Sequence, residues 1–266
     1  MNKKIGAIVG VLVIAVVIAV LLIGGGGSAR DIAKMTPEGA SSFTHFNLQT
    51  IRDDKDLDDI YEAIESEFDE LEDELGVDID DINYIAEADG TTIIGGKFDL
   101  KDVRDELDDR DFDKDEYKGV EFWTGEYDEA VAISGDKLII GSDKRVKSCI
   151  KVMKGDRTSM YDDDEDIRDV INKLPGGIMT RVDAYPSYEG AFAMGFVLMK
   201  EDEDTLKMKG VVKFDDEDDA EDAKSALKRS MKREEDLFDV DVKQKGEFLE
   251  FSAKVDIEDL ELEELQ

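Results

Sequence analysis

Apolar residues fill the start of the chain without a break and then recur at regular spacing through the rest of it. The first run, Ile5–Ile23, contains only Ile, Val, Leu, Ala and Gly. As a helix it would extend for roughly 28 Å, close to the ~30 Å hydrocarbon core of a bilayer. The pattern predicts a transmembrane helix and an N-terminal anchor over residues 1–23, followed by a Gly-rich spacer over residues 24–30.

The residues that flank this run predict its orientation. Lys3 and Lys4 precede it, so the positive-inside tendency places the N-terminus in the cytoplasm and the C-terminal domain outside the cell membrane. The alternative is a cleaved signal peptide, for which Gly27-Ser28-Ala29 offers a small-residue cleavage site. Signal peptides usually have apolar segments of about 7–15 residues, so the length of the run favours an uncleaved, single-pass anchor.

Beyond residue 30, stretches in which apolar and polar residues alternate predict strands, and stretches with 3-4 apolar spacing predict helices. Asp89-Gly90 separates two such strands and predicts a hairpin with a type I′ turn. The predicted helices are Leu57–Leu75, Leu100–Leu107, Asp143–Lys154, Asp166–Leu174 and Glu217–Glu235. The predicted strands are Phe43–Leu48, Ile82–Ala88, Thr91–Phe98, Gly119–Thr124, Ala130–Ser134, Lys137–Ile140, Ile178–Ala184, Ala191–Met199, Leu206–Phe214, Phe238–Val242 and Leu249–Val255.

The order of these elements is similar in the two halves of the exported region. Lys97-Phe98-Asp99 and Lys213-Phe214-Asp215 each end a strand and begin a helix, with a hairpin before the helix and another after it. This pattern predicts an internal repeat. We expect an α+β fold of two similar units, residues 31–155 and 156–266, each an antiparallel sheet with helices on one face, preceded by one transmembrane helix. The pattern leaves open whether the two sheets are separate or joined into one continuous sheet.

The charge of the chain limits its partners. It contains 34 Lys and Arg against 69 Asp and Glu, a formal net charge of −35. Such a charge repels phosphate backbones, so nucleic acid is excluded as a partner. The predicted partners are the lipid bilayer, through Ile5–Ile23, and an envelope protein or diffusely bound surface cations.

The segment from Tyr117 to Val182 carries three motifs: Tyr117-Lys118-Gly119-Val120, Asp136-Lys137-Leu138-Ile139-Ile140-Gly141-Ser142 and Leu174-Pro175-Gly176-Gly177. In these motifs the chain resembles an uncharacterised family of bacterial and archaeal exported proteins, classed as a domain of unknown function. Members are typically anchored at the N-terminus. The resemblance implies an anchor with an exported domain, and it implies no activity and no catalytic residues.

Few residues suggest a chemistry. His45 is the only histidine, and its place in a strand indicates a satisfied or exposed side chain. Cys149 is the only cysteine, and its helical spacing with Val146 and Ile150 predicts a buried small hydrophobe. One His and one Cys argue against His-cluster zinc sites and against Cys-His or Ser-His-Asp catalysis.

Acidic and basic clusters are also weak signals. Two aspartate triplets have the 1-3-5 spacing of a calcium loop, but Glu116 and Ile167 occupy the positions where the loop needs glycine. A basic cluster late in the last helix could contact anionic lipid or an acidic partner, but bases there also complement the helix dipole. The triplets are Asp111, Asp113, Asp115 and Asp162, Asp164, Asp166, and the cluster is Lys224, Lys228, Arg229, Lys232 and Arg233.

We assign no catalytic, cofactor-binding or metal-ligating residue, and we predict no cofactor. The sequence favours a membrane-anchored extracytoplasmic protein that is not an enzyme and acts in binding or envelope structure, which predicts an exposed apolar or aromatic patch. One alternative is a carboxylate-dependent hydrolase, which predicts two carboxylates in a cleft, one with a raised pKa; a single tryptophan, Trp123, argues against a glycosidase. The other is a carrier of a small apolar ligand, which predicts a deep, dry pocket.

Overall fold

The computed structural model describes residues 28–186 and 190–257, in which twelve strands and eight α-helices are found. The strands are β1 (Ser42–Phe46), β2 (Ile82–Ala88), β3 (Thr91–Gly96), β4 (Asp113–Tyr117), β5 (Val120–Thr124), β6 (Glu129–Ser134), β7 (Lys137–Ser142), β8 (Met179–Asp183), β9 (Ala191–Lys200), β10 (Thr205–Phe214), β11 (Phe238–Lys245) and β12 (Phe248–Asp256). The helices are α1 (Ala29–Met35), α2 (Leu48–Arg52), α3 (Asp58–Leu75), α4 (Leu100–Asp109), α5 (Asp143–Met153), α6 (Met160–Asp163), α7 (Glu165–Lys173) and α8 (Glu217–Met231).

All twelve strands belong to one antiparallel sheet, in the order β11-β12-β10-β9-β8-β1-β2-β3-β7-β6-β5-β4. The two predicted units meet at β1 and β8, where Ser42 lies opposite Asp183 and Phe46 opposite Met179. The sheets of the two units are therefore one continuous sheet, which is one of the two arrangements that the sequence left open. The hydrogen bonds between β1 and β8 leave no open edge at the centre.

The prediction that helices lie on one face is wrong, because helices cover both faces of the sheet. One face packs against α2, α3, α4 and α8, and we name it the α3 face. The other packs against α1, α5, α6 and α7, and we name it the α5 face. In the first half of the chain the strands are buried on both sides: Ile94 packs on the α3 face and its neighbour Ile93 on the α5 face. Such strands have apolar residues in succession, so alternation does not reveal the second helical layer.

No helix in the described residues is long and apolar enough to cross a membrane. The transmembrane helix predicted over Ile5–Ile23 is thus not part of the fold that the structure shows, and the fold class is corrected to an α+β sheet protein without it. Residues 1–27, which contain the predicted anchor and most of the predicted spacer, lie outside the described residues.

Several local predictions are confirmed. Asp89 and Gly90 adopt positive φ angles of 47° and 69° between β2 and β3, as a type I′ hairpin requires. Helix α3 ends at Leu75, and Gly76 follows it with φ 63°.

Strand β4 was not predicted, because its sequence Asp-Lys-Asp-Glu-Tyr has no apolar alternation. It is one of the two edge strands of the sheet, where charged side chains discourage pairing with another chain.

Two glycines in the sheet lie directly beneath aromatic rings. A Cβ at Gly95 of β3 would lie 2.1 Å from Cε1 of Tyr84, and one at Gly210 of β10 would lie 2.0 Å from Cζ of Phe251. Real Cβ contacts are never this short, so each ring depends on the absence of a side chain below it. Phe251 packs in the core under α8 with Val212.

We therefore expect Gly210→Ala to lower the free energy of unfolding by about 1–3 kcal/mol, because the added methyl group must displace the Phe251 ring. The measurement is urea denaturation of the full-length protein, followed by fluorescence of Trp123, the only tryptophan and fully buried. The control is Gly176→Ala, since no heavy atom lies within 4 Å of a Cβ at Gly176. Equal stability of the two variants would contradict this account of Phe251 packing.

Candidate ligand-binding site

A cavity of about 430 Å³ opens on the α5 face at the middle of the sheet, where β1 and β8 pair. We name it the His45 cavity. Its walls are the start of α1, the end of α7, and the connection from α7 to β8. The polar side chains that line it are Ser28, Arg30, His45, Asn47, Asn172 and Thr180.

His45 forms part of the floor of this cavity. On β1 it lies opposite Ala86 of β2 and Thr180 of β8, and its ring centroid is 5.7 Å from that of Tyr84. Only 3 % of its surface is exposed, and its Nε2 atom has no hydrogen-bond partner in the described part of the chain. Buried side-chain nitrogens normally have a partner, so an unpaired one beside a cavity is a position for a ligand atom.

Burial also determines the charge of His45. It lowers the pKa of the imidazole from 6.5 to about 4, and the negative charge of Asp31 opposes the shift only weakly. The ring is therefore neutral at pH 7. A neutral imidazole has one nitrogen that donates and one that accepts, so it can bind a polar group without adding charge to the cavity.

Arg30 brings a positive charge to the cavity. It lies in the first turn of α1, which begins with a capping box in which Ser28 Oγ accepts from the Asp31 amide and the Asp31 carboxylate accepts from the Ser28 amide. The Nη2 atom of Arg30 donates to Oδ1 of Asn172, at 2.5 Å, and the guanidinium carbon is 5.5 Å from the Tyr161 ring centroid. The guanidinium is exposed and keeps further N–H donors for a ligand.

Asn172 is the residue that positions Arg30. Its Oδ1 atom accepts from Arg30 and also from the hydroxyl of Tyr161, at 3.0 Å. Arg30 and Asn172 are separated by 142 residues in sequence, so the contact joins the first helix of the domain to the end of α7. The two halves of the chain thus contribute opposite walls of the same cavity.

The connection from α7 to β8 closes the third side. A Cβ at Gly177 would lie 2.4 Å from the carbonyl oxygen of Leu198, so only glycine permits this approach to β9. Leu174 and Pro175 form the apolar part of the wall. The Leu174-Pro175-Gly176-Gly177 motif therefore shapes the cavity by backbone geometry.

Two predictions about single residues have different outcomes. Cys149 is 1 % exposed on α5, as predicted, and burial raises the pKa of its thiol to about 11, so it is not a reactive nucleophile. The prediction for His45 is wrong, because the side chain is neither exposed nor satisfied. Strand alternation does not distinguish a histidine that faces a core from one that faces a cavity.

The clusters of the sequence occupy ordinary structural positions. Asp113 and Asp115 lie on the exposed edge strand β4, and Asp164 is the N-cap of α7, where it accepts from the amides of Asp166 and Ile167. In the described residues no group of three His, Cys, Asp or Glu side chains is arranged to hold a metal ion. Lys228 and Arg229 lie in the last turn of α8, whose first turn is acidic.

Sequence reasoning singled out His45 and the Leu174-Pro175-Gly176-Gly177 motif, but it did not find Arg30 or Asn172. Arg30 and Asn172 belong to no motif, and α1 has only seven residues with no long apolar period. The only sequence signal near Arg30 is Ser28 followed by Asp31, which is a helix-start pattern. The site is a product of the β1–β8 pairing and is not encoded in a local segment.

Comparison of the chain with protein-family models, with curated proteins and with solved structures finds no match. The class that the fold and the site define is an α+β protein with a ligand-sized cavity at the centre of its sheet. Its function is therefore inferred from the chemistry of that cavity.

The low pKa of His45 predicts a specific pH dependence of stability. Between pH 6.5 and 4 the unfolded chain binds a proton that the folded chain does not, so the free energy of unfolding falls as the pH is lowered. Relative to His45→Gln, the unsubstituted protein should lose about 2 kcal/mol between pH 7 and pH 5. The comparison with the variant removes the contribution of the carboxylates, which both proteins share.

The measurement is urea denaturation at the two pH values, together with NMR titration of the imidazole. Because the chain has one histidine, one set of imidazole signals reports its protonation directly. A titration midpoint close to 6.5 in the folded protein would contradict the burial argument.

Proposed function

We propose that this protein binds a small organic acid in the His45 cavity, and that it does so outside the cytoplasmic membrane, to which the apolar segment Ile5–Ile23 attaches it. The observation that carries the proposal is the buried Nε2 atom of His45, which lacks a partner in the described residues although His45 lines the cavity. An unpaired buried polar atom costs about 1–3 kcal/mol, which a bound ligand would recover.

The size and the lining of the cavity support this class of ligand. A volume of about 430 Å³ is within the range of about 300–1,000 Å³ typical of small-molecule sites. The lining combines an apolar wall with a guanidinium, an imidazole and two side-chain amides. This favours a polar ligand over the small apolar ligand of the carrier hypothesis, for which a dry lining is expected.

Arg30 supports a negative charge on that ligand. The planar guanidinium matches the two oxygens of a carboxylate, and such charge-assisted pairs are among the stronger hydrogen bonds in proteins. Asn172 engages one nitrogen of the guanidinium and so orients the rest of it. His45, neutral at pH 7, adds a hydrogen bond without adding charge.

The carboxylates of the described residues give less support to a hydrolase. Burial raises the pKa of both Glu87 and Glu129, but neither lines the His45 cavity. Hydrogen bonds from Arg104 and Lys114 lower the pKa of Glu121 to about 2, which suits an ion pair and not a general acid. Binding without chemistry therefore remains our proposal.

The proposal is tested by NMR on full-length protein in nanodiscs, with 15N-labelled histidine, titrated with acetate, butanoate and octanoate and with octanamide as the uncharged control. We expect a saturable shift of the imidazole signals with a carboxylate and none with the amide. Arg30→Gln should weaken that binding about tenfold or more, because it removes a charge-assisted hydrogen bond.

The matched control is Lys34→Gln, which removes the same charge from the same helix. Lys34 also contacts the Tyr161 ring, at 5.4 Å, but it does not line the cavity. We expect its affinity to stay within about twofold of the unsubstituted protein. Failure of every carboxylate to move the imidazole signals would exclude the proposed function, and equal losses in the two variants would show a general charge effect.

A further inference from the structure

A second cavity, of about 260 Å³, opens over the three outer strands β10, β12 and β11. Lys173, Lys209 and Lys243 line it together with Asp241 and Glu250, and we name it the lysine cavity. We infer that the lysine cavity is a separate binding site for the dianion of a phosphate monoester, which Lys173 and Lys209 hold. This site is independent of the carboxylate site proposed at His45.

The sheet register gathers the polar side chains of this cavity on one face. Lys209 of β10 lies opposite Ser252 of β12, and Ser252 lies opposite Asp241 of β11. Paired residues, and residues two apart on one strand, point to the same face of a sheet. That face is the α5 face, because Val211, two residues after Lys209, packs in its core. Lys173 is the last residue of α7, which packs on the same face, and it completes the cavity.

The charges that line the lysine cavity do not cancel. Each of its two acids already has a lysine partner, at 2.5 and 2.6 Å: the pairs are Asp241 with Lys243 and Glu250 with Lys245. Within residues 28–186 and 190–257 neither Lys173 nor Lys209 forms an ion pair, although the chain contains 69 acids against 34 bases. Two uncompensated ammonium groups therefore line one cavity, which matches the charge of a dianion.

The identity of the bases favours a phosphate group over a carboxylate. The bases that line this cavity are all lysines. Lysine binds phosphate as a point charge, whereas the planar guanidinium of arginine matches a carboxylate. The ammonium of Lys173 lies 4.1 Å from the Phe248 ring centroid, where the aromatic face stabilises it. Lys209 is half-buried beside Ser252, whose hydroxyl can donate a further hydrogen bond to a phosphate oxygen.

Two other cavities on the same face differ from the lysine cavity in charge. The His45 cavity is lined by a single charged side chain, that of Arg30. A third cavity, of about 420 Å³ beside α5, is lined by three bases and three acids, so its formal charges balance. These six residues are Lys144, Arg145, Arg157, Glu38, Asp89 and Asp128. Among the three cavities, the lysine cavity therefore has the charge that a phosphate dianion requires.

The experiment titrates the full-length protein with three esters that differ in charge: methyl phosphate, dimethyl phosphate and trimethyl phosphate. At about pH 8 their charges are about −2, −1 and 0, since the second pKa of a phosphate monoester is about 6. The phosphorus NMR signal of each ester reports binding as a saturable shift. We expect methyl phosphate to bind about tenfold more tightly than dimethyl phosphate, and trimethyl phosphate not to bind.

Lysine variants identify the residues responsible. Lys173→Gln and Lys209→Gln should each weaken the binding of methyl phosphate about tenfold or more, because each removes a charge-assisted hydrogen bond. The matched control is Lys207→Gln, on the same strand and face as Lys209. Lys207 pairs with Glu201 at 2.8 Å and does not line the cavity, so its affinity should stay within about twofold. Unfolding curves of the three variants show whether each is folded at the temperature of the titration.

A fourth probe distinguishes the two sources of such a phosphate group, a lipid headgroup and a free ester. Dihexanoyl phosphatidic acid is a soluble lipid that carries the same terminal phosphate. Tighter binding than that of methyl phosphate, with the same loss in Lys209→Gln, would assign the site to a lipid headgroup, because the acyl chains can contact Leu174 and Pro175 in the cavity wall. Equal affinity for the two probes would assign it to a free ester.

Three results would contradict the phosphate site. The first is equal affinity for the three methyl esters, and the second is an equal loss of affinity in Lys207→Gln and Lys209→Gln. The third is a shift of the His45 imidazole signals with the same midpoint as the methyl phosphate titration, which would place the anion in the His45 cavity. None of these results depends on whether a carboxylate binds at His45, so the phosphate site and the proposed function can fail separately.

Discussion

The antiparallel pairing of β1 with β8 is the constraint on which the rest of this structure depends. Five residue pairs, from Ser42–Asp183 to Phe46–Met179, join strands that are far apart in sequence. They merge the two halves of the chain into one sheet and bring α1 and the end of α7 to the same face. The central cavity exists because these two helices flank a strand pair that neither half could form alone.

The strand order is similar in the two halves of the sheet, and the internal repeat stays a prediction from the sequence. From the centre outwards the first half runs β1-β2-β3-β7-β6 and the second β8-β9-β10-β12-β11. In each half a helix on the α3 face, α4 or α8, follows the third strand and precedes the hairpin that pairs with it. The first strands of the two halves, β1 and β8, pair with each other, and the His45 cavity lies at this junction.

Much of the local structure could be predicted from the sequence, and the site could not. Alternation and 3-4 spacing are local, so the hairpin at Asp89-Gly90 and the end of α3 at Gly76 followed from a few neighbouring residues. The second helical layer could not be predicted from neighbouring residues, because strands such as β3 are buried on both sides. The cavity depends on contacts between Arg30 and Asn172 and between His45 and Thr180, which no local pattern records.

The long separation of β1 and β8 has a consequence for the order in which the molecule folds. During synthesis β1 can pair with β2 at once, but its other edge stays open until residues 179–183 have been made. Closing so long a loop is costly in entropy, so non-local pairings of this kind slow the folding of a sheet. The β1–β8 pairing, which forms the ligand cavity, is thus a late step of folding. A nascent chain acquires its binding site only when its two halves have come together.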